Sequence, residues 1–330
     1  MPSVYLNILT SFIVGTLCSA VLLPVILKIA VKRKLYDKPD SRKNHRGNVH
    51  RLGGMAFLPS LMLGMLCSLG FDLLLGCKDA VAVYAGDVQQ ITFCFIALCL
   101  IYGSGVADDL FRLRYRTKFM IQIICGVLLI CGGLCIDTFG GTAGIGTLPG
   151  YVSWPFTVLM TVFIVNAFNL IDGIDGLCTM LTQLAMLSYG IIFICAGDIF
   201  GATICAATLG TTLPFLRYNI AGNPARCGKL FMGDTGSLFL GGVVCAMAFA
   251  LEMPLILILI GFVYVCEAMS DILQVSYFKA THGKRLFKMA PIHHHFEMCG
   301  WKEEKIVLVF AGVTAAMCVL AWFGIAGLVG

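Results

Sequence analysis

Apolar residues run through this chain in long blocks separated by short polar stretches. A block of about 20 apolar residues matches the length of a membrane-spanning helix. Ten such windows occur, near 4–31, 52–76, 91–107, 118–136, 154–169, 177–197, 199–216, 236–251, 253–273 and 305–327. The sixth and seventh are parted only by a tight turn at Gly197-Asp198. The pattern predicts an all-α polytopic integral membrane protein with about ten transmembrane helices, built as a single domain over 1–330. Composition agrees. The chain is 59% hydrophobic and 12% charged, with mean hydropathy +0.91, where soluble proteins carry roughly 25% charged residues. The first window follows no basic segment and precedes no small-residue cleavage site, so it reads as a retained helix.

Charge sets the expected orientation. Basic residues collect in alternate connections: Lys32, Arg33, Lys34, Lys38, Arg42, Lys43, Arg46 and Arg51, then Arg112, Arg114, Arg116 and Lys118, then Arg217, Arg226 and Lys229, then Lys279, Lys284, Arg285, Lys288 and Lys302. Lys78 stands alone on the other side. Positive-inside bias places these loops in the cytoplasm and both termini outside. The cytoplasmic segments then lie near 32–51, 108–117, 166–176, 217–235 and 274–304. Most acids fall on the same side. Orientation and anionic-lipid binding account for basic loops, but they give no reason for acids beside them. A transporter gathers its ionisable groups near the midplane. Polar chemistry at one interface suits an enzyme that joins a soluble anion to a lipid phosphate.

The stretch Asn166-Ala-Phe-Asn-Leu-Ile-Asp-Gly-Ile-Asp-Gly176 carries two amides and two carboxylates, each three residues from the next. Neighbours three apart share a helix face. The pattern predicts a helix end loosened at Gly173 and Gly176, its polar groups gathered at one pocket. Acids at a membrane edge are functional candidates; a plain polar cap needs only one. Asp108-Asp109 closes the third window, and adjacent carboxylates favour a divalent cation or a raised pKa. Solvated acids balanced by Arg112, Arg114 and Arg116 are the alternative there. Gly233-Asp234-Thr235-Gly236-Ser237 opens the eighth helix, where free backbone N–H groups attract anions and Asp234 is placed to bind metal. Pro291-Ile-His-His-His-Phe-Glu297 offers imidazoles to phosphate oxygens or to a transition metal. The polar arm Asp37-Lys-Pro-Asp-Ser-Arg-Lys-Asn-His45, with His50-Arg-Leu-Gly-Gly54, is either a flap over a nucleotide or a basic lipid-surface linker. Most of the 16 cysteines sit in apolar runs and no Cys-x-x-Cys pair occurs, so they read as small buried hydrophobes.

Four motifs together, Asp108-Asp109, Asn166–Gly176, Phe231-Met-Gly-Asp-Thr-Gly-Ser237 and Pro291–Glu297, resemble the polyprenyl-phosphate N-acetylhexosamine-1-phosphate transferase superfamily over nearly the whole chain, from about Leu35. The segments Phe278-Lys279, Gly283–Glu297 and Gly300-Trp301 look most like its phospho-N-acetylmuramoyl-pentapeptide branch. Asp37-x-Pro-x-x-Arg42-Lys43-x-His45, Asn169–Asp175 and Phe215-Leu-Arg-Tyr-Asn219 resemble the N-acetylglucosamine branch instead, so two sugar donors stand. The resemblance implies bacterial cell-wall synthesis at the inner membrane. UDP-N-acetylmuramoyl-pentapeptide and undecaprenyl phosphate would give lipid I and UMP. It further implies Mg2+, a homodimer, sensitivity to nucleoside inhibitors such as tunicamycin, and no nucleic-acid partner. Carried over by motif, Asp234 and Asp172 are the implied metal ligands, with Asp108, Asp109, Asp172 and Asp234 catalytic. Lys118, Asn169, Asp175, Asn219, Phe231, His293, His294 and His295 are the implied substrate contacts, with Asn223 a rival to Asn219.

Overall fold

In a computed structural model the described residues are 2–33, 50–75, 88–138, 147–222 and 229–329. The arm over 37–45 (the flap or linker), the rival Asn223, Arg226 and Lys78 lie outside them.

Twelve α-helices occur among the described residues. They are α1 (Pro2–Lys32), α2 (Phe57–Leu74), α3 (Val88–Phe111), α4 (Tyr115–Cys131), α5 (Gly150–Ile171) and α6 (Leu177–Ala196), then α7 (Ile199–Ile220), α8 (Gly233–Ala250), α9 (Pro254–Ile260), α10 (Phe262–Ala280), α11 (Ile292–Met298) and α12 (Glu303–Val329). A short 3-10 turn, Gly53–Ala56, leads into α2. Each of the ten apolar windows meets a helix. Eight of these helices are long and apolar enough to cross a membrane, so the chain is an all-helical polytopic protein. Two windows differ. Helix α4 has 17 residues and opens on Arg116 and Lys118. The ninth window is two helices, because the chain breaks at Gly261 between α9 and α10.

Helix α8 is the axis of the bundle. Every residue in it except Asp234 and Ala250 is buried. Helices α3 and α5 flank it, and α1, α2 and α7 pack together to one side. The outer face of α1 shows the opposite pattern. Tyr5, Leu9, Ile13, Leu17, Val21, Val25 and Ile29, four residues apart, are all exposed, one stripe of a 3.6-residue helix turned outward. Helix contact in lipid rests on close packing and on interhelical hydrogen bonds. Asn7 Nδ2 donates to Asp72 Oδ2 at 2.6 Å between α1 and α2. Ser11 Oγ donates to the Thr203 carbonyl at 3.2 Å between α1 and α7.

One approach fixes where the chemistry sits. A Cβ on Gly105 of α3 would run into Thr235 Cα. Glycine there lets α3 lie directly on the first turn of α8, which brings the next turn of α3, with Asp108 and Asp109, to the end of that helix.

Candidate active site

The loop ends of α3, α5, α7 and α8 and the start of α4 converge, and most of the motif residues meet there. Asp108 and Asp109, adjacent in sequence, do different things. Asp108 Oδ2 accepts from Lys118 Nζ at 2.9 Å, and Asp108 Oδ1 accepts from the Leu113 N–H at 2.7 Å. Lys118 also pairs with the Asp234 carboxylate. Asp109 turns to the start of α8. Its Oδ1 accepts from the Asp234 N–H at 3.0 Å, and its Oδ2 accepts from the Thr235 N–H at 2.9 Å and the Thr235 hydroxyl at 2.6 Å. Two of the first-turn backbone donors of α8, expected to be open to a phosphate, are thus taken by a carboxylate of the protein itself. That is the preferred charge at a helix N-terminus. Gly233 holds φ +70° at this point, and a Cβ on it would lie 2.6 Å from Asp109 Oδ2.

The stretch 166–176 ends α5 at Ile171, with Asp172 as its C-cap, and restarts as α6 after Gly176 at φ +79°. Its four polar side chains part company. Asn169 Nδ2 donates to Asp234 Oδ1 and to Ser237 Oγ, both at 3.1 Å. Asn166 lies one turn deeper and pairs with Gln122 of α4, its Nδ2 donating to Gln122 Oε1 at 2.6 Å. It therefore does not share the pocket expected from its spacing. Asp175 pairs with Lys229, whose ammonium lies 5.6 Å from the centre of the Phe231 ring. Burial pushes the Asp172 carboxyl well above the usual carboxylate range, with Asp234 and Asp109 adding to the rise, Arg51 opposing it and Asp175 adding again.

Asn219 is buried and fully engaged. Its Oδ1 accepts from the Gly176 N–H at 2.6 Å, and its Nδ2 donates to the Leu230 carbonyl at 3.1 Å. It braces the backbone behind Asp175 and Phe231. Phe231 is held in turn by the 50–54 segment: its N–H donates to the His50 carbonyl at 2.8 Å, and its own carbonyl accepts from the Gly53 N–H at 3.0 Å. The three histidines begin α11 and diverge. His293 is buried against Glu267 of α10. His294 pairs with Glu297. His295 Nδ1 accepts from the Lys288 N–H at 3.1 Å, and its ring meets Phe287 edge-on.

Residues 91–252 match the family described as Glycosyl transferase family 4. The chain is 36% identical over 332 residues to a phospho-N-acetylmuramoyl-pentapeptide-transferase of Clostridium perfringens, covering 97% of this chain and 98% of that protein. It is 34% identical to the protein of that name from Clostridium acetobutylicum, covering 98% and 100%. It is 32% identical to that from Listeria monocytogenes, covering 92% of each. The chain belongs to the phospho-N-acetylmuramoyl-pentapeptide-transferase family. It is thus an enzyme of the phosphotransferase type, and the muramoyl resemblance read from its C-terminal segments extends across nearly its whole length.

For a phospho-N-acetylmuramoyl-pentapeptide-transferase, metal fit turns on the carboxylates. Asp108, Asp109, Asp172 and Asp234 cluster with two cations, Lys118 and Arg51, in electrostatic reach. Among the described residues no three His, Cys, Asp or Glu side chains close on a single point. A hard cation held through one or two carboxylates and substrate phosphates needs no such cage. All-oxygen donors and an excess of negative charge, four carboxylates against two cations, fit it. Two contributors escaped the sequence reading. Gln122 looks like an ordinary helix residue. Glu267 carried a signal, an acid inside a spanning window.

Proposed function

We propose that this chain transfers phospho-N-acetylmuramoyl-pentapeptide from its UDP-linked donor to undecaprenyl phosphate, giving lipid I and UMP. The observation that carries this reading is the Asp108–Lys118–Asp234–Asn169 network. It is one connected polar cluster at the loop end of an apolar bundle, in a chain similar over its full length to relatives of that name.

An oxygen of the lipid phosphate attacks the donor phosphorus nearest the sugar, and the bond from that phosphorus to the UMP oxygen breaks. A phosphate monoester is already largely ionised at neutral pH, its second pKa being about 6. The protein therefore has positioning and charge to supply. Mg2+ bound at Asp172 and Asp234 would neutralise charge on the donor phosphates as UMP departs. Lys118, oriented by Asp108, brings its ammonium to a phosphate oxygen. Asn169 holds Asp234 in place from the far side. Asp109 ties α8 to α3 and so sets where Asp234 begins. Asp175, Lys229 and Phe231 receive the uridine end, with Asn219 bracing the backbone between them. His294 and His295 border the phosphates.

The topology we favour has ten spans in one domain, 1–330, with the α4 and α9–α10 segments counted as crossings. Both termini lie outside and the site lies at the cytoplasmic face of the bacterial inner membrane. Basic residues at the site end, from Arg51 and Lys118 to Lys229, support that orientation. A homodimer completes the proposal. UMP release by the purified enzyme with undecaprenyl phosphate and Mg2+ tests the donor. Release with UDP-N-acetylmuramoyl-pentapeptide and not with UDP-N-acetylglucosamine supports the reading. The reverse result assigns the other donor.

A further inference from the structure

Glu267 and His293 form a buried acid–imidazole pair behind the site, with no part in the phosphoryl transfer proposed above. Both side chains are fully buried. Glu267 lies on the second turn of α10, and His293 on the first turn of α11. His293 Nδ1 donates to Glu267 Oε2 at 2.9 Å, and the His293 backbone N–H points to the same oxygen at 3.5 Å. A carboxylate bonded to both the ring and the backbone of one residue leaves that ring a single orientation. The other ring nitrogen, Nε2, is buried and makes no hydrogen bond. It is aimed at the turn between α5 and α6: a Cβ built on Gly173 would lie 2.8 Å from His293 Nε2. Gly173 stands next to Asp172 and two residues from Asp175. The imidazole therefore fills the space where a side chain at 173 would sit, against the backbone that carries both carboxylates.

We propose that Glu267 is a positioning residue, which locks the His293 ring against Gly173 and so holds the Asp172–Asp175 turn in its working place. Glu267 touches neither substrate nor reacting atoms; it acts through His293. The break between α9 and α10 at Gly261 puts Glu267 near the start of α10, beside α11, rather than alone within a continuous spanning helix. This assignment rests on the reading that Asp172 and Asp175 serve the donor. The neighbouring acid Asp271, also on α10, lies within electrostatic reach of His293 and His294, but makes no hydrogen bond to either ring.

The test is a double-mutant cycle in the full-length enzyme. Glu267→Gln should lower kcat about thirtyfold, inside the roughly hundredfold that an ångström-scale misplacement costs. KM for undecaprenyl phosphate should stay unchanged. In a His293→Ala background the same change should cost less than about threefold, because the residue it acts through is gone. Equal losses in both backgrounds, or wild-type kcat in Glu267→Gln, would overturn the assignment. Gly173→Ala gives a second reading. It should impair the wild type and be relieved by His293→Ala; impairment that persists in that background counts against the lock. A wild type that releases no UMP with either donor sinks the function and leaves the contact testable. Non-additive losses of Tm for Glu267→Gln and His293→Ala then support the pair, and additive losses refute it.

Discussion

Asp109→Asn separates a strut from a metal ligand. The Asp109 carboxylate accepts three hydrogen bonds from the first turn of α8, at 3.0, 2.9 and 2.6 Å. Bonds to a charged acceptor contribute roughly 1.5–3 kcal/mol each, against about 0.5–1.5 for neutral ones. An asparagine keeps one acceptor oxygen, which can retain both Thr235 bonds at a combined loss of about 2 kcal/mol by that difference. Its amide NH2 then faces the Asp234 N–H, donor against donor. An unsatisfied buried donor costs about 1–3 kcal/mol more. The sum is roughly 3–5 kcal/mol, focused on the helix that carries Asp234. At about 2 °C per kcal/mol for a large chain, Tm in detergent should fall by roughly 6–10 °C. Turnover should fall about a hundredfold through displacement of Asp234. Raising Mg2+ should restore neither. An Asp109→Asn enzyme of wild-type Tm whose activity returns at high Mg2+ would refute this reasoning and place Asp109 among the metal ligands.

Other outcomes follow from the same geometry. Asp234→Asn should cost more than about a hundredfold in rate, the scale of removing one preorganised electrostatic group, and near-normal turnover by the purified variant would remove Asp234 from the centre. Asp172 titrates above the usual carboxylate range because of burial and its acidic neighbours. Its contribution to stability in metal-free protein is therefore fully present below about pH 3.9, the ordinary Asp value, and is lost as pH rises through the raised value. Mg2+ needs the ionised form, so its affinity should climb with pH across that window, and Asp172→Asn should flatten both trends; a pH-independent affinity in the wild type contradicts the assignment. Gly105→Ala drives a methyl into the Thr235 backbone and should cost about 1–3 kcal/mol of stability, read as a lower Tm with activity lost in parallel.

Much of this was legible in the chain, and the parts that were not have physical reasons. Every apolar window meets a helix, because the length of an apolar run is a one-dimensional property. Asp108, Asn169 and Asp234, each singled out within a motif, lie in one network with Lys118. Adjacent acids at Asp108 and Asp109 looked like one feature, yet a helix turns about 100° per residue, and that turn gives them different partners. Three-residue spacing put Asn166 with Asn169 for the same reason it then separated them: one turn along α5 is enough to leave the pocket and meet Gln122. The ninth window read as a single helix because Gly261 leaves its hydropathy intact. Glu267 was overlooked because its partner, His293, is 26 residues away and only the folded chain brings them together.

In the proposed reaction a phosphosugar, not a bare sugar, moves onto the lipid phosphate. The direct test supplies UDP-N-acetylmuramoyl-pentapeptide radiolabelled at the phosphate next to the sugar, with undecaprenyl phosphate and Mg2+, and follows the label. Label should appear in the lipid fraction, matched mole for mole by unlabelled UMP, and neither should appear with Asp234→Asn. Label released as UDP or inorganic phosphate, or a lipid product formed without it, would contradict phosphosugar transfer.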